Sequence, residues 1–210
     1  MLTLNDRNFI ALDGSSISGG VNKYIVTNGS GSFIYRNESG ATQNGIFVNA
    51  PLGSVSPLQY AGIDLPINGL DKNNEIRIRA LQQSSAPAPA ITSPNRVENV
   101  WEVVLPGGAS INTAESVSLF YSGSVSGSMA TNGKAYYHNG SNWVAETTIS
   151  SNNSSTVFMP SNFAGAGTRY YGAFAESIYY SRKTGNWNDV TTGNGTWSTG
   201  GHTGASCDCV

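Results

Sequence analysis

Glu75-Ile76-Arg77-Ile78-Arg79-Ala80-Leu81 alternates charged and apolar side chains along most of its length. Successive side chains of a β-strand point to opposite faces of a sheet, so this period of two predicts a strand with one buried face. Ile76, Ile78 and Ala80 are predicted to point into a core, and the charged side chains are predicted to face solvent. The chain therefore contains at least one half-buried sheet.

Similar segments lie on both sides of this strand. Asn-Gly pairs at 28–29 and 44–45 favour tight hairpin turns, because both residue types tolerate positive φ. A further hairpin is predicted over 135–144, with Tyr137 and Trp143 meeting across its strands. The other predicted strands are Asn8–Leu12, Asn22–Thr27, Ser32–Arg36, Gly45–Asn49, Val97–Leu105, Ser116–Tyr121, Thr156–Met159 and Thr168–Tyr180.

The composition agrees with this all-β pattern. The chain has 210 residues, of which only 11% are charged, and it contains 25 Gly, 28 Ser and 22 Asn. These three residue types are poor helix formers and common in turns. Many short strands without intervening helices predict an antiparallel sandwich, either jelly-roll-like or divided into two small sandwiches.

A single Pro-rich stretch suggests how the chain is divided. Prolines remove ladder donors, so residues 84–97 are predicted to form a loop or linker. Residues 1–83 then form the first part of the β-sandwich and residues 98–181 the second. Residues 182–210, rich in Gly and Trp, are predicted to form an extended tail.

Charge and hydropathy argue against two classes of partner. The formal net charge is −2 and no concentrated basic face is visible, so we expect no nucleic-acid binding. No apolar run approaches the roughly 20 residues that span a bilayer, so we expect no membrane insertion. The N-terminal residues also lack the basic leader and apolar region of a signal peptide.

Groups suited to catalysis are sparse. His138 and His202 are the two histidines; the first is predicted at a hairpin tip beside Asn139-Gly140 and the second in a Gly/Thr-rich stretch, so both are expected to face solvent rather than to act in catalysis. The acidic residues are scattered singly, and Asp71-Lys72-Asn73-Asn74-Glu75 is predicted to be an exposed turn rather than a calcium loop. Cys207 and Cys209 are predicted to be free or paired with another chain. We therefore expect no enzymatic activity, no metal and no cofactor.

The aromatic residues are the positive functional signal. Adjacent aromatic residues form doublets at 120–121, 136–137, 170–171 and 179–180. In each aromatic doublet one member is predicted to face the core and the other to face outward. Outward rings could contact a partner subunit, pack on the protein's own surface, or stack on a glycan. The candidate contact residues are Tyr121, Tyr137, Trp143, Tyr171, Tyr180, Trp187 and Trp197.

Two segments resemble known proteins. Tyr179 to Gly201, with Gly185-Asn186-Trp187-Asn188-Asp189 and Thr196-Trp197-Ser198, resembles the Gly-Asn-Trp-x-Asp…Thr-Trp-Ser module of Bacteroidetes surface proteins. The hairpin at 135–144 resembles the Tyr-Tyr-x-Asn-Gly-x-x-Trp-Val hairpin of phage fibre proteins and bacterial adhesins. Together they cover about 35 residues of the chain.

These resemblances imply a structural or adhesive role. A low-charge β protein without an export signal is expected in a bacteriophage virion, as a spike, fibre or capsid-decorating subunit released by lysis. Its expected partners are copies of itself, in a trimer or pentamer, other virion proteins, and a host-surface glycan. The alternative is a secreted adhesin or carbohydrate-binding module of a Bacteroidetes-like bacterium.

Overall fold

A computed structural model describes most of the chain, at residues 1–15, 17–55, 58–83, 89–93, 96–122, 133–145, 148–151, 154–175, 180–181 and 197–198. The chain divides into two units, Met1–Ala175 and Glu176–Val210. The first unit holds almost all the described strands. In the second, two short strands pair with each other.

Strands account for nearly all of the regular structure, and Ser161–Phe163 adds one 3₁₀ turn. In chain order the strands are β1 (Leu2–Thr3), β2 (Phe9–Leu12), β3 (Ile25–Val26), β4 (Phe33–Arg36), β5 (Ile46–Ala50), β6 (Leu52–Val55), β7 (Leu58–Asn68), β8 (Glu75–Gln82), β9 (Asn99–Leu105), β10 (Ser110–Ile111), β11 (Ser116–Tyr121), β12 (Lys134–His138), β13 (Trp143–Val144), β14 (Thr148–Ser151), β15 (Ser154–Phe158), β16 (Gly167–Phe174), β17 (Tyr180–Ser181) and β18 (Trp197–Ser198).

Two sheets form a sandwich in the first unit. The first sheet runs β1-β3-β6-β7-β11-β15-β14, with β5 and β10 also paired to β7. The second sheet runs β13-β12-β16-β9-β8-β4-β2. The prediction of an all-β sandwich is confirmed. The sheets are mixed rather than purely antiparallel, because β1 with β3, β3 with β6, and β2 with β4 are parallel pairs.

Strands from both sides of the Pro-rich stretch lie side by side. β8 pairs with β9 in the second sheet, and β7 pairs with β11 in the first. Residues 1–83 and 98–175 therefore contribute to the same two sheets, which makes one sandwich rather than two small ones, whereas β17 at 180–181 belongs to the second unit. Two parts of the Pro-rich stretch are described, 89–93 and 96–97, and the first is held on the protein by Gln83, whose Oε1 accepts the Ile91 N–H at 2.6 Å.

Apolar side chains from both sheets meet in one core. Trp101 on β9 is fully buried, and its Nε1–H donates to the Ala61 carbonyl on β7 at 2.8 Å. This hydrogen bond joins the two sheets and satisfies the indole donor that burial would otherwise leave unpaired. The alternation predicted for β8 is confirmed, since Ile76, Ile78 and Ala80 are all buried.

The Asn-Gly turns are not hairpins. Gly29 and Gly45 do adopt positive φ, at 65° and 64°. The chain crosses from the first sheet to the second between β3 and β4, and returns to the first between β4 and β5. The hairpin prediction was therefore wrong at both places, because positive φ allows a sharp change of direction but does not determine which strand pairs next.

The longest strand, β7, contains a proline near its C-terminal end. β7 pairs with β5 on one side and with β10 and β11 on the other. Pro66 lies opposite the break between β10 and β11, where its carbonyl accepts the Asn112 N–H at 2.8 Å. Proline has no N–H to donate, so this break in the ladder is where a central strand tolerates it.

Candidate functional site

Residues 1–12 form the outermost strand of both sheets at one side of the sandwich, and we call this segment the N-terminal edge. Its strand β1 ends the order of the first sheet, and its strand β2 ends the order of the second. Within the described residues, β1 pairs only with β3 and β2 pairs only with β4. One side of each strand thus carries backbone groups with no strand beside them.

The N-terminal edge passes from the first sheet to the second between β1 and β2, beside the segment that makes the same passage between β3 and β4. Asn5 and Asn28 exchange two hydrogen bonds, of 2.9 and 3.0 Å. Asp6 Oδ1 accepts the Ser30 N–H and hydroxyl, at 3.0 and 3.1 Å, which lowers the pKa of Asp6. These contacts hold β1 and β2 in register with β3 and β4 where the backbone ladder is interrupted.

Apolar side chains are concentrated on the N-terminal edge. Phe9 and Ala11 point inward, and the Phe9 ring stacks on Phe33 at 5.8 Å. Ile10 and Leu12 point outward and remain 44% and 46% exposed, while Leu2 is 48% exposed. Natural sheet edges are commonly protected by charge, proline or a bulge. β1 and β2 are short, which limits pairing with another strand, but they carry exposed aliphatic side chains, which is typical of a surface that another chain covers.

Three of the predicted contact tyrosines belong to the core. Tyr121, Tyr137 and Tyr171 are 1%, 3% and 0% exposed, so none is available to a partner or a glycan. The expectation that they face outward was wrong. Two residues in a doublet point to opposite faces, but that spacing does not say which one points outward. The half-buried member of the doublet is Phe120 on β11 and Tyr170 on β16.

Trp143 lies on the outer face of the second sheet and contacts its own chain. Its Nε1–H donates to the Ala90 carbonyl at 2.9 Å, and its ring meets Phe174 edge-on at 6.0 Å. The hairpin predicted over 135–144 is confirmed by the pairing of β12 and β13. The aromatic contact of Trp143 across it is with His138 at 5.2 Å, because Tyr137 lies opposite Val144 and points to the core. Trp143 therefore helps to hold residues 89–93 on the sheet.

The remaining predicted contacts are in the second unit. Tyr180 and Trp197 belong to β17 and β18, which pair antiparallel with Ser181 opposite Trp197. Trp187 lies outside the described residues, as do His202, Cys207 and Cys209. Their roles stay predictions.

A cleft of about 200 Å³ lies beside the N-terminal edge. It is open to solvent on one side, and it lies where the edge of the second sheet faces β5 of the first. The lining residues are Ala11, Ser15, Ile17, Tyr35, Phe47 and Asn49. The cleft combines an aromatic surface with amide and hydroxyl groups.

Hydrogen bonds orient the polar groups around this cleft. The Tyr35 hydroxyl donates to Gln43 Oε1 at 3.4 Å, and Gln43 Nε2 donates to Asp13 Oδ2 at 3.4 Å. Burial raises the pKa of Tyr35, and the Asp13 charge adds to this effect. On the opposite wall Asn49 Nδ2 donates to Asp64 Oδ1, and burial raises the pKa of that carboxyl.

No cluster of three or more His, Cys, Asp or Glu residues that could together hold a metal ion is found in the described part of the chain. His138 Nδ1 accepts the Gly140 N–H at 3.2 Å, and burial lowers the pKa of this histidine. Burial and this hydrogen bond both favour the neutral form of the ring at the hairpin turn.

Helices long and apolar enough to cross a membrane are absent from the described residues.

The chain matches no protein-family model, no curated protein and no solved structure.

The sequence contained a signal for the N-terminal edge and for the cleft that the strand pattern did not use. Phe9-Ile10-Ala11-Leu12 and Ile46-Phe47-Val48 are continuous apolar runs rather than alternating ones. In a sheet with one buried face, such a run places an apolar side chain in solvent at every second position. Ile10, Leu12 and Phe47 are the residues exposed in this way.

Proposed function

We propose that the protein is a structural subunit of a bacteriophage virion, a spike, fibre or capsid-decorating protein that acts by assembly and attachment. The observation that carries the proposal is the N-terminal edge, where both sheets end in short strands with exposed aliphatic side chains. Copies of the same chain, in a trimer or pentamer, are its expected first partners, followed by other virion proteins.

The physical reason is that an edge strand without a neighbour presents backbone hydrogen-bonding groups that other chains can pair with. Among the described residues no strand lies beside the outward backbone groups of Ile10, although the Leu12 carbonyl already accepts the Ser15 N–H at 3.1 Å, and a free monomer with such an edge is prone to uncontrolled association. Covering the edge in a closed oligomer satisfies those groups and removes the aliphatic side chains from water. The low charge of the chain, 11%, also reduces repulsion between neighbouring copies.

Light scattering across a concentration series tests the proposal. Wild type is expected to form a discrete oligomer. The double variant Ile10→Lys/Leu12→Lys places two charges on the edge, and we expect its dissociation midpoint to move to at least about tenfold higher protein concentration. Val21→Lys is the matched control, because Val21 is 60% exposed but lies in a turn outside the strands.

Circular dichroism of both variants establishes that the fold persists. A wild-type protein that stays monomeric at every concentration, or a Val21→Lys variant that dissociates as readily as the edge variant, contradicts assembly through this edge. Incubation of the labelled wild-type protein with phage particles and sedimentation then tests attachment to a virion.

A secreted adhesin or carbohydrate-binding module of a Bacteroidetes-like bacterium is the second candidate function. The cleft with Tyr35, Phe47 and Asn49 favours it, because aromatic and amide groups together suit sugar binding. This candidate predicts a monomer that binds glycan and is unaffected by charge at the N-terminal edge. The light-scattering series therefore separates the two functions.

A further inference from the structure

We propose that the cleft beside the N-terminal edge binds a single neutral sugar ring through Phe47, Asn49 and Tyr35. None of these residues was among the aromatic contacts expected from the sequence. The site would supply the attachment part of the proposed function, but it is argued from its own geometry and does not require self-assembly.

The size of the cleft limits the ligand. Its volume of about 200 Å³ lies below the roughly 300–1,000 Å³ of sites that enclose drug-sized ligands. The cleft therefore accommodates one ring rather than a buried oligosaccharide. Because it is open on one side, the remaining residues of a longer glycan could extend into solvent.

Phe47 provides the apolar surface. Its side chain is 59% exposed although it is the second residue of β5, where it is opposite Pro66 of β7. An exposed aromatic ring on a strand held by a complete ladder is a rigid, flat surface. Such a ring stacks on the C–H groups of a pyranose without the entropy loss of ordering a loop.

The polar side chains of the cleft make some hydrogen bonds within the protein and can make further ones to a ligand. Asn49 uses one amide N–H on Asp64, which leaves its second N–H and its oxygen for a ligand. The bonds from the Tyr35 hydroxyl to Gln43 and from Gln43 to Asp13 are both long, at 3.4 Å. Long bonds are weak and are readily exchanged for bonds to ligand hydroxyls.

The charge around the cleft selects against anions. None of the six lining residues is Lys, Arg or His, whereas Asp13 and Asp64 are bonded to the polar residues on opposite walls. Carboxylates accept hydrogen bonds, and sugar hydroxyls donate them. An acidic sugar or a phosphate would bring a third negative charge to the site without a cation to balance it.

Saturation-transfer NMR and calorimetry with methyl glycosides of glucose, galactose, mannose and N-acetylglucosamine test the site. We expect at least one of them to bind with a dissociation constant on the order of 1 mM, as suits a single ring in an open cleft. The methyl glycoside of glucuronic acid is the anionic counterpart of the glucoside, and it is expected to bind at least about tenfold more weakly.

Substitutions of the lining residues test whether the sugar binds in this cleft. Phe47→Ala and Asn49→Ala are each expected to weaken binding by at least about tenfold, whereas Phe47→Tyr keeps the ring and the affinity. Phe120→Ala is the matched control, because Phe120 is a half-buried phenylalanine on the same face of the same sheet but outside the cleft. Circular dichroism checks that every variant is folded.

Three results would overturn the proposal: no binding of any neutral glycoside, tighter binding of the glucuronide than of the glucoside, or equal loss of affinity in Phe120→Ala. The titrations are repeated on Ile10→Lys/Leu12→Lys, which separates the two proposals. Sugar binding by that variant supports the cleft whatever its oligomeric state, and a discrete wild-type oligomer without sugar binding supports assembly alone.

Discussion

Two buried tyrosines allow a sharp test of the core, because the same chemical change is expected to have opposite effects at the two positions. Tyr171 is fully buried, and its hydroxyl has no hydrogen-bond partner among the described residues. Burial accordingly raises the pKa of Tyr171. Tyr121 is also buried, but its hydroxyl bonds to Ser155 Oγ at 2.7 Å.

The expected magnitudes follow from this difference. A buried polar group without a partner costs about 1–3 kcal/mol, so Tyr171→Phe is expected to raise the free energy of unfolding by about 1 kcal/mol. Tyr121→Phe loses a hydrogen bond and leaves the buried Ser155 hydroxyl without that partner, and we expect a loss of about 1.5 kcal/mol. The two variants should then differ by about 2.5 kcal/mol, or roughly 5–10 °C in Tm for a unit of this size.

Urea unfolding monitored by circular dichroism, together with thermal melts, measures both variants against wild type. Equal m-values would show that the comparison concerns the same transition. If Tyr171→Phe destabilises the protein as much as Tyr121→Phe does, the Tyr171 hydroxyl has a partner in solution and the reasoning is refuted.

Two further predictions concern the outer faces of the sheets. Gly172→Ala would place a Cβ 2.8 Å from Ile91 and 3.2 Å from Trp143, so we expect a loss of about 1–3 kcal/mol in urea unfolding and a shifted Trp fluorescence spectrum. Gly165→Ala, which meets nothing within 4 Å, is the control, and a similar loss there would contradict the packing explanation. For Asp64, burial raises the pKa above its ordinary value of 3.8, so the folded state holds the proton at a pH where the unfolded chain has released it. Wild type is therefore expected to lose stability relative to Asp64→Asn as the pH rises above 3.8. Thermal melts at several pH values measure this difference, and a gain in the relative stability of wild type over the same pH range would contradict the prediction.

Local sequence patterns predicted many of the strands closely. The alternation at 75–81 corresponds to β8, Glu75–Gln82, and the predicted strand Ser116–Tyr121 coincides with β11. The longest strand, β7, was missed because Gly62 and Pro66 interrupt its apolar pattern. Both interruptions have tertiary explanations: the Tyr60 side chain lies over Gly62, and Pro66 faces the break between β10 and β11.

The candidate site was harder to predict from the sequence than the strands were. Aromatic doublets correctly marked strands, but Tyr121, Tyr137 and Tyr171 proved to be core residues. A shift of one residue in register exchanges the two faces of a strand, so the exposed member of a doublet depends on how distant strands align. The cleft also depends on distant pairing, since Tyr35 and Phe47 lie on strands of different sheets.

The sequence by itself determined the all-β class, the positions of many strands and the places where the backbone turns sharply, because these depend on side-chain periodicity and on the φ preferences of neighbouring residues. Only the tertiary structure decided that the Asn-Gly turns cross between sheets, that residues 1–12 form the outer strand of both sheets, and that Phe47 is exposed beside Tyr35. These features arise from pairing between residues far apart in the chain, where hydrogen bonding and burial across the whole sandwich outweigh any local preference.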